Sequence, residues 1–363
     1  MPRQLDFVRI PTARPDRCVA AGALGALLLA GVVALAPRSA AAADLGGDDP
    51  LGADAGTAAG DLVQNGNVEF PADATYVRST TNRSGVPLRW MGSNCVFVRA
   101  NSAGSDDISD GSDLLAIESA VDRWHSATAG CSYMRLNLQE PTADAEPFYD
   151  SDGPNESVIA WIESDWPHDA AAAGLTVLFF VDDESSSQDG RILDADIELN
   201  GAFRFSTTGD PDATDVENTV VHELGHLLGL DHTCDDGARN PTPKDNRGEL
   251  IPQCWPVRLL PPRITEATMY NFSDPGETKK RTPELGDVHG VCDIYPPDDD
   301  PGVCQRVDLA PARGCDIPGR DDASGGRLAW LLAAIAALSL LFVRRTVVTV
   351  RTARTKASVA DRR

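Results

Sequence analysis

HELGHLLGLDH, residues 222–232, is the stretch that decides how this chain folds. On a helix His222 and His226 leave the same face one turn apart, because residues four positions apart are neighbours there. Two imidazole nitrogens at that separation can bind one Zn²⁺ ion at about 2.0–2.1 Å. Gly229 can end the helix, since a residue without Cβ enters the left-handed conformation at little cost. The chain can then turn and return His232 as a third ligand.

Glu223 directly follows the first of these histidines, where its carboxylate can act as a general base toward water activated by the metal. Three protein ligands leave one coordination position open, which is typical of catalytic zinc sites and not of structural ones. The alternative is a set of ordinary histidines, since a bare HExxH also arises by chance. Three of the six histidines fall in this one stretch, and Gly229 and His232 extend the pattern. Both observations favour the zinc site.

The pattern HExxHxxGxxH resembles the zinc-binding stretch of the metzincin metallopeptidases, and its ending LGLDHT, residues 228–233, is closest to the matrixin branch. Two later motifs extend the resemblance. ATMYN, residues 267–271, resembles the Met-turn, in which a methionine, here Met269, packs beneath the zinc ligands. DVHGVCDIY, residues 287–295, is similar to the C-terminal helix of matrixin catalytic domains, with Asp287 as the acidic residue buried beneath the site.

The resemblance covers about residues 68–296 and implies an α/β fold. We expect a twisted, mixed five-stranded sheet with one antiparallel edge strand, together with the active-site helix, the Met-turn and a C-terminal helix. By resemblance Ile192–Asn200, in which apolar and polar residues alternate, is the edge strand that lines the cleft. An exposed edge can pair with an extended peptide. The continuous apolar run Leu175–Val181 instead predicts a buried strand.

The sequence departs from the family at two points, and each limits which family properties we expect in this chain. No Pro-Arg-Cys-Gly-type cysteine switch lies upstream, so latency through a thiolate on zinc is not implied. Met269 lies 37 positions after His232 (269 − 232), a longer interval than matrixins usually have. Because this segment builds the wall of the primed-side specificity pocket in the family, substrate preference is not transferred to this chain.

The charge excludes nucleic acid as a partner. The 363 residues carry a net charge of −23, and 13 of the 32 basic but only 3 of the 55 acidic side chains lie in residues 1–43 and 327–363. Residues 44–326 therefore keep 19 basic and 52 acidic side chains, a net charge of −33 that would repel phosphates. The acidic loop at 182–190 is a candidate Ca²⁺ site through hard oxygen ligands, although a solvated loop fits equally well.

The chain has eight cysteines. Cys18 lies in the N-terminal segment and Cys315 just before the C-terminal apolar run, and the other six are an even number compatible with three disulfides whose pairing the sequence leaves open. Cys234 with Cys254 is one possibility, which would pin the long segment after His232.

Both ends of the chain resemble targeting segments. Residues 1–43 combine a basic start with four arginines in residues 1–17, an apolar run and a small-residue cleavage site, as in a secretory signal peptide. Residues 44–67 are expected to form a flexible arm. Residues 297–326 are a linker rich in Asp, Pro and Gly. Residues 327–363 hold a short apolar run followed by arginines, which predicts a transmembrane anchor with the catalytic domain outside. The tail also resembles the tripartite C-terminal sorting signals of myxobacteria, which would be processed near Cys315.

The sequence therefore predicts a zinc metalloendopeptidase with His222, His226 and His232 as ligands, Glu223 as general base and Met269 as structural support. It would be exported, held at the cell envelope or surface or released from it, and would act on protein or peptide substrates. Two alternatives stay open. One is a non-catalytic surface protein on a metzincin scaffold, against which an intact Glu223 counts. The other is a cell-wall amide hydrolase with the same chemistry.

Overall fold

The structure, a computed structural model, describes residues 3–12, 63–64, 67–151, 153–237, 239 and 241–307. Most of the expected signal peptide and arm, and the chain from residue 308 on with its predicted anchor and sorting tail, lie outside the described residues. Within the described ranges no helix has both the length and the apolar character needed to cross a membrane.

Thirteen strands occur in the described residues, and several are only two residues long. In chain order they are β1 (Arg3–Thr12), β2 (Val63–Gln64), β3 (Asn67–Val68), β4 (Val77–Arg78), β5 (Cys95–Asn101), β6 (Arg135–Thr142), β7 (Ser157–Ile162), β8 (Ala172–Val181), β9 (Ile192–Asn200), β10 (Phe205–Ser206), β11 (Thr214–Asp215), β12 (Leu230–Asp231) and β13 (Phe272–Ser273).

Three long helices and one single turn accompany the strands. The α-helices are α1 (Ser112–Thr128), α2 (Val216–Leu227), α3 (Pro262–Thr265) and α4 (Leu285–Ile294), and 3-10 helices span Val257–Leu259, Lys279–Arg281 and Pro297–Asp299.

The main sheet has the strand order β13-β1-β8-β9-β7-β5-β6. Its five central strands match the expected mixed sheet: β6, β5, β7 and β9 pair in parallel, and β8 pairs antiparallel to β9. The α/β fold class that the sequence predicts is thus confirmed. Outside these five strands, β1 pairs in parallel with β8 and antiparallel with β13.

The predicted edge strand is wrong. Ile192–Asn200 (β9) lies inside the sheet between β7 and β8, and the antiparallel strand at the border of the five is Ala172–Val181 (β8). The polar residues Asp194 and Asp196 of β9 are buried, at 1% and 2% exposure. The alternation of β9 therefore does not mark a solvated face.

Helices α1 and α2 pack against each other above the sheet. Ile117 and Trp124 of α1 are both 1% exposed. The Trp124 indole Nε1 donates to Val221 O at 2.9 Å, and the Trp90 Nε1 donates to Leu227 O at 2.8 Å. Two buried indole N–H groups thus donate to backbone carbonyls of α2. These bonds hold the helix against its neighbours and satisfy the polar atom of each indole.

Three disulfides join the six cysteines as Cys95–Cys304, Cys131–Cys292 and Cys234–Cys254. The third is the pairing that pins the segment after His232. The first shows that the packed region extends beyond residue 296, where the sequence predicted a linker to begin. Val307 is buried and Arg306 donates to Glu156 Oε1 at 2.7 Å, so residues 297–307 belong to the fold.

Candidate metal centre

Helix α2 carries His222 and His226, and hydrogen bonds and charged side chains stabilise its N-terminus. Asp215 is the N-cap, and its Oδ1 accepts a hydrogen bond from Asn218 N at 2.9 Å. Arg281 donates from Nε to the same carboxylate at 2.9 Å, and this bond raises the pKa of the guanidinium. Glu217 adds negative charge in the first turn, where the helix dipole favours it.

The end of α2 brings the third histidine back. Gly229 has φ +99°, and a Cβ there would lie 2.8 Å from Leu88 O, so both its conformation and its surroundings exclude a side chain. The helix ends at Leu227, before Gly229, and the Tyr295 hydroxyl donates to Leu228 O at 3.0 Å. Beyond the turn β12 pairs with β4, which carries His232 back to the metal-binding face.

The three histidines converge as predicted. They are fully buried, and one ligand atom from each lies within 4.8 Å of the others. The Nε2 atoms of His226 and His232 are 3.1 Å apart. A tetrahedral zinc with Zn–N bonds of about 2.0–2.1 Å separates its ligand nitrogens by roughly 3.3–3.4 Å, so this spacing fits a shared ion.

The hydrogen bonds of the rings leave lone pairs for a metal. His222 Nδ1 lies 2.6 Å from Thr268 O, and His226 Nδ1 lies 3.1 Å from Leu230 O. Because a carbonyl oxygen only accepts, each Nδ1 carries the proton and each Nε2 is a bare acceptor. His222 Nε2 is buried with no hydrogen-bond partner among the described residues. Such an orphaned atom fits a metal ligand.

The electrostatics point the same way. Burial, followed by the neighbouring cations and imidazoles, holds the pKa of His222 and His232 well below the ordinary value. Neutral imidazole is the form that binds metal. The residues present therefore fit a zinc ion bound by three histidines.

Met269 packs against helix α2, which carries His222 and His226. It is fully buried, and a Cβ on Gly225 of α2 would lie 2.3 Å from its sulfur. Gly225 thus lets the methionine approach the helix that carries the ligands. Asp287 Oδ2 accepts a hydrogen bond from Met269 N at 3.2 Å. Burial raises the pKa of Asp287 to about 8.

Glu223 lies against the border strand β8, through two residues that the sequence analysis missed. Thr176 Oγ1 donates to Glu223 Oε2 at 2.7 Å and also lies 3.1 Å from its backbone oxygen. A Cβ on Gly174 would lie 3.0 Å from Glu223 Oε1. The only signal in the sequence was one hydroxyl within an apolar run.

Lys280 is a third residue near the site that the sequence analysis missed. It is 1% exposed, and its Nζ donates to Tyr270 O at 2.6 Å and to Phe272 O at 2.9 Å. Burial lowers the pKa of this ammonium to about 8. Its two bonds fix the backbone that follows Met269.

One position in the main sheet, which we call the slot, lies between β8 and β13 and is filled by the extended strand β1. Strands β8 and β13 form its two sides, and β1 lies between them with backbone pairing to both. Leu5 of β1 pairs with Gly174, the residue that lies against Glu223. Strand β1, itself an extended chain, therefore passes next to the residue that lies against the Glu223 carboxylate.

The remaining histidines serve other contacts. His125 Nε2 accepts from Leu136 N at 2.9 Å, His168 Nε2 lies 3.0 Å from Glu198 Oε2, and His289 Nδ1 lies 2.8 Å from Ala74 O. Within the described ranges, His222, His226 and His232 are the only group of three or more His, Cys, Asp or Glu residues placed to hold a metal.

The acidic loop does not form a comparable group. Asp183 Oδ1 accepts from Ser185 Oγ at 2.7 Å, and Asp189 Oδ1 accepts from Asp183 N at 3.0 Å. These carboxylates bond to donors of the protein itself. Calcium binding stays an expectation.

Comparison with protein families agrees with this geometry. The sequence model of the matrixins, peptidase family M10, matches residues 48–239, which include the complete stretch 222–232. No curated protein matches the chain. The family match spans more than half of the 363 residues, and this chain therefore belongs to the matrixin family of zinc metallopeptidases.

Proposed function

We propose that the protein is an exported zinc-dependent endopeptidase in which Glu223 is the general base. The observation that carries the proposal is the placement of Glu223, which follows His222 on the helix of the converging histidines and has its carboxylate against β8 at the border of the slot. A carboxylate buried there has a use in hydrolysis, whereas a binding surface has no physical need for it.

His222, His226 and His232 would hold the zinc ion. Bound there, Zn²⁺ supplies Lewis-acid polarisation of a substrate carbonyl and makes water more acidic. Glu223 accepts the proton of the attacking water and afterwards delivers it to the leaving amine. Thr176 holds the carboxylate in place by donating to Oε2 at 2.7 Å. Met269 supports the ligand-bearing helix from below and touches no substrate.

The slot supports a polypeptide substrate. Backbone pairing on both sides holds an extended chain without reading its side chains, so such a slot admits many sequences. A cell-wall amide hydrolase would need contacts to sugars or to branched peptides, and the two strand edges provide pairing for a linear chain instead.

Export is supported by cysteine usage. All six cysteines of the described ranges are paired, and disulfides persist in oxidising compartments outside the cytoplasm. The proposed place is the cell envelope or surface, with the tail from residue 327 as an anchor or a sorting signal.

Hydrolysis of unfolded casein by the zinc-loaded protein tests this proposal, with tripeptide and cell-wall fragments as alternative substrates. The endopeptidase predicts internal cleavage of casein. Release of cell-wall fragments without casein cleavage would favour the amide hydrolase, and zinc binding without any hydrolysis would favour the surface scaffold.

A further inference from the structure

A buried lysine connects the metal-bearing helix to one side of the slot. Lys280 is 1% exposed and lies in the 3-10 helix Lys279–Arg281, which packs against α2. A lysine is almost never fully buried unless its ammonium group is paired, because removing the charge from water is costly. An apolar residue would fill the same space without this cost, so the charge calls for a role of its own.

The ammonium holds the chain that leads into β13. Lys280 Nζ donates to Tyr270 O at 2.6 Å and to Phe272 O at 2.9 Å. Phe272 is the first residue of β13 and pairs with Gln4 of the strand that fills the slot. Two bonds from one nitrogen atom to carbonyls two residues apart fix the path of the backbone between them. This backbone leads directly into the side of the slot.

The backbone of Lys280 is bonded to the metal-bearing helix. Lys280 N donates to Asn218 Oδ1 at 2.8 Å, and Asn218 Nδ2 donates to Ser273 Oγ at 3.0 Å. Asn218 is buried and precedes His222 by four positions, one turn earlier on the same face of α2. Ser273 is the second residue of β13. Lys280, Asn218 and Ser273 thus link the ligand-bearing helix to β13, and we refer to these three residues as the β13 anchor.

The anchored part of the slot lies close to the reacting groups. In β1, Gln4 pairs with Phe272, and the next residue, Leu5, pairs with Gly174, which lies against Glu223. The backbone position held against β13 is therefore adjacent to the position beside the general base. A displacement of β13 relative to α2 would move a paired chain relative to the reacting groups, and catalysis is sensitive to displacements of about 1 Å.

We propose that Lys280 is a positioning residue, which aligns the polypeptide substrate with the metal centre by anchoring β13 to α2. The inference rests on the proposed endopeptidase function and adds a residue to its machinery. Lys280 acts through the backbone of residues 270–272, so its effect depends on how far a substrate extends along the slot and not on the substrate's side chains.

The test compares the full chain, purified and loaded with zinc, with its Lys280→Met variant, which keeps a long side chain but has no donor. The substrates are one quenched-fluorescent decapeptide and copies shortened residue by residue from either end. In wild type, shortening from one end should lower kcat/KM about tenfold at the step where pairing with β13 is lost, on the order of one or two hydrogen bonds. Lys280→Met should lower kcat/KM about tenfold for the decapeptide and less than about twofold for the shortest peptide, so that this step disappears.

Lys279→Met is the matched control. The neighbouring Lys279 also donates to a backbone carbonyl, Thr265 O at 2.8 Å, but its side chain is 33% exposed. Its replacement should leave the dependence on peptide length unchanged. Lys280→Gln keeps one amide donor group, should give an intermediate dependence on length, and takes the place of Lys280→Met if the methionine variant does not fold.

Peptide binding gives a readout that needs no hydrolysis. Labelled decapeptide should bind the zinc-loaded Glu223→Ala protein about tenfold more weakly once Lys280→Met is added, whereas the affinity for the shortest peptide should change less than about twofold.

The outcomes separate the two claims. If replacement of Lys280 lowers kcat/KM of all peptides by the same factor, or lowers the melting temperature while the dependence on length stays, Lys280 only stabilises the protein and the inference is wrong. An equal effect of Lys279→Met would assign the result to charge and also refute the anchor. If zinc-loaded wild type cleaves nothing, the proposed function fails, and the binding measurement still tests Lys280: weaker binding of the decapeptide alone supports the anchor, and unchanged binding refutes it.

Discussion

Replacing Thr176 by Val tests how Glu223 is held. Valine has nearly the same shape but lacks the hydroxyl that donates to Glu223 Oε2 at 2.7 Å. Thr176 is fully buried, so water cannot take the place of the lost donor. A hydrogen bond to a charged group contributes roughly 1.5–3 kcal/mol. Since about 1.4 kcal/mol corresponds to a factor of ten in rate, kcat should fall roughly 10- to 100-fold.

The assay measures kcat, KM and zinc content with one fluorogenic peptide. We expect kcat to fall while KM changes less than about threefold and zinc stays at one ion per chain, because the Thr176 hydroxyl bonds to Glu223 at both its carboxylate and its backbone oxygen. Thr176→Ser keeps a hydroxyl and should restore most of the rate. Thr128→Val is the control for losing a buried hydroxyl, since Thr128 Oγ1 donates to Trp124 O far along α1.

Two results would refute the reasoning. One is a Thr176→Val protein whose kcat stays within twofold of wild type. The other is a Thr176→Ser protein as slow as the valine variant, which would mean that packing and not the hydrogen bond matters.

Three further perturbations follow from the structure. Gly229→Ala should cost about 1–3 kcal/mol of stability and lower zinc affinity, because φ +99° and Leu88 O at 2.8 Å leave no room for a Cβ; a thermal melt within 1 °C of wild type would contradict this. Burial, with Asp196 next to it, raises the pKa of Asp194, so the native carboxyl stays protonated while the unfolded one ionises above about pH 4. Stability is therefore lost as the pH rises, and Asp194→Asn should stabilise the protein by about 1–3 kcal/mol at pH 8 but little at pH 4 in urea unfolding; an equal gain at both pH values would argue against it. A synthetic peptide of residues 3–12 should inhibit a chain that begins at Asp44 by raising KM without changing kcat, since β1 fills the slot, whereas a scrambled peptide should not.

The sequence sufficed for what depends on local chain geometry. The spacing of His222 and His226 required a helix, Gly229 required a turn, and together they predicted that His232 would return to the same place. The structure brings all three histidines together, and Met269 packs against Gly225 of the helix that carries two of them. The three histidines lie within eleven consecutive residues, and Met269 belongs to a motif of the family.

The edge strand could not be read from side-chain alternation. Alternation reports which faces of a strand are covered, whereas an edge is defined by the neighbours in the plane of the sheet, to which the backbone bonds. In β9 the polar face is covered, so Asp194 and Asp196 are buried inside the sheet. In β8 both faces are largely buried although the strand borders the slot.

Contacts between segments that are far apart in the sequence could not be predicted either. Thr176 meets Glu223 from 47 positions away, and Cys304 joins Cys95 across 209 positions. No spacing rule connects such pairs. The composition of residues 297–307 resembles a linker, and only the disulfide and the burial of Val307 reveal that they pack.

The most direct test of the central claim compares the chain from Asp44 to Gly326 with its Glu223→Ala variant, by zinc content and by peptide hydrolysis. The account predicts one zinc ion in each protein, cleavage by wild type, and a loss of at least 1000-fold in the variant, on the order of what removing a general base causes. Equal hydrolysis by both proteins would contradict the role of Glu223, and zinc-free wild type that still cleaves would contradict the metal centre itself.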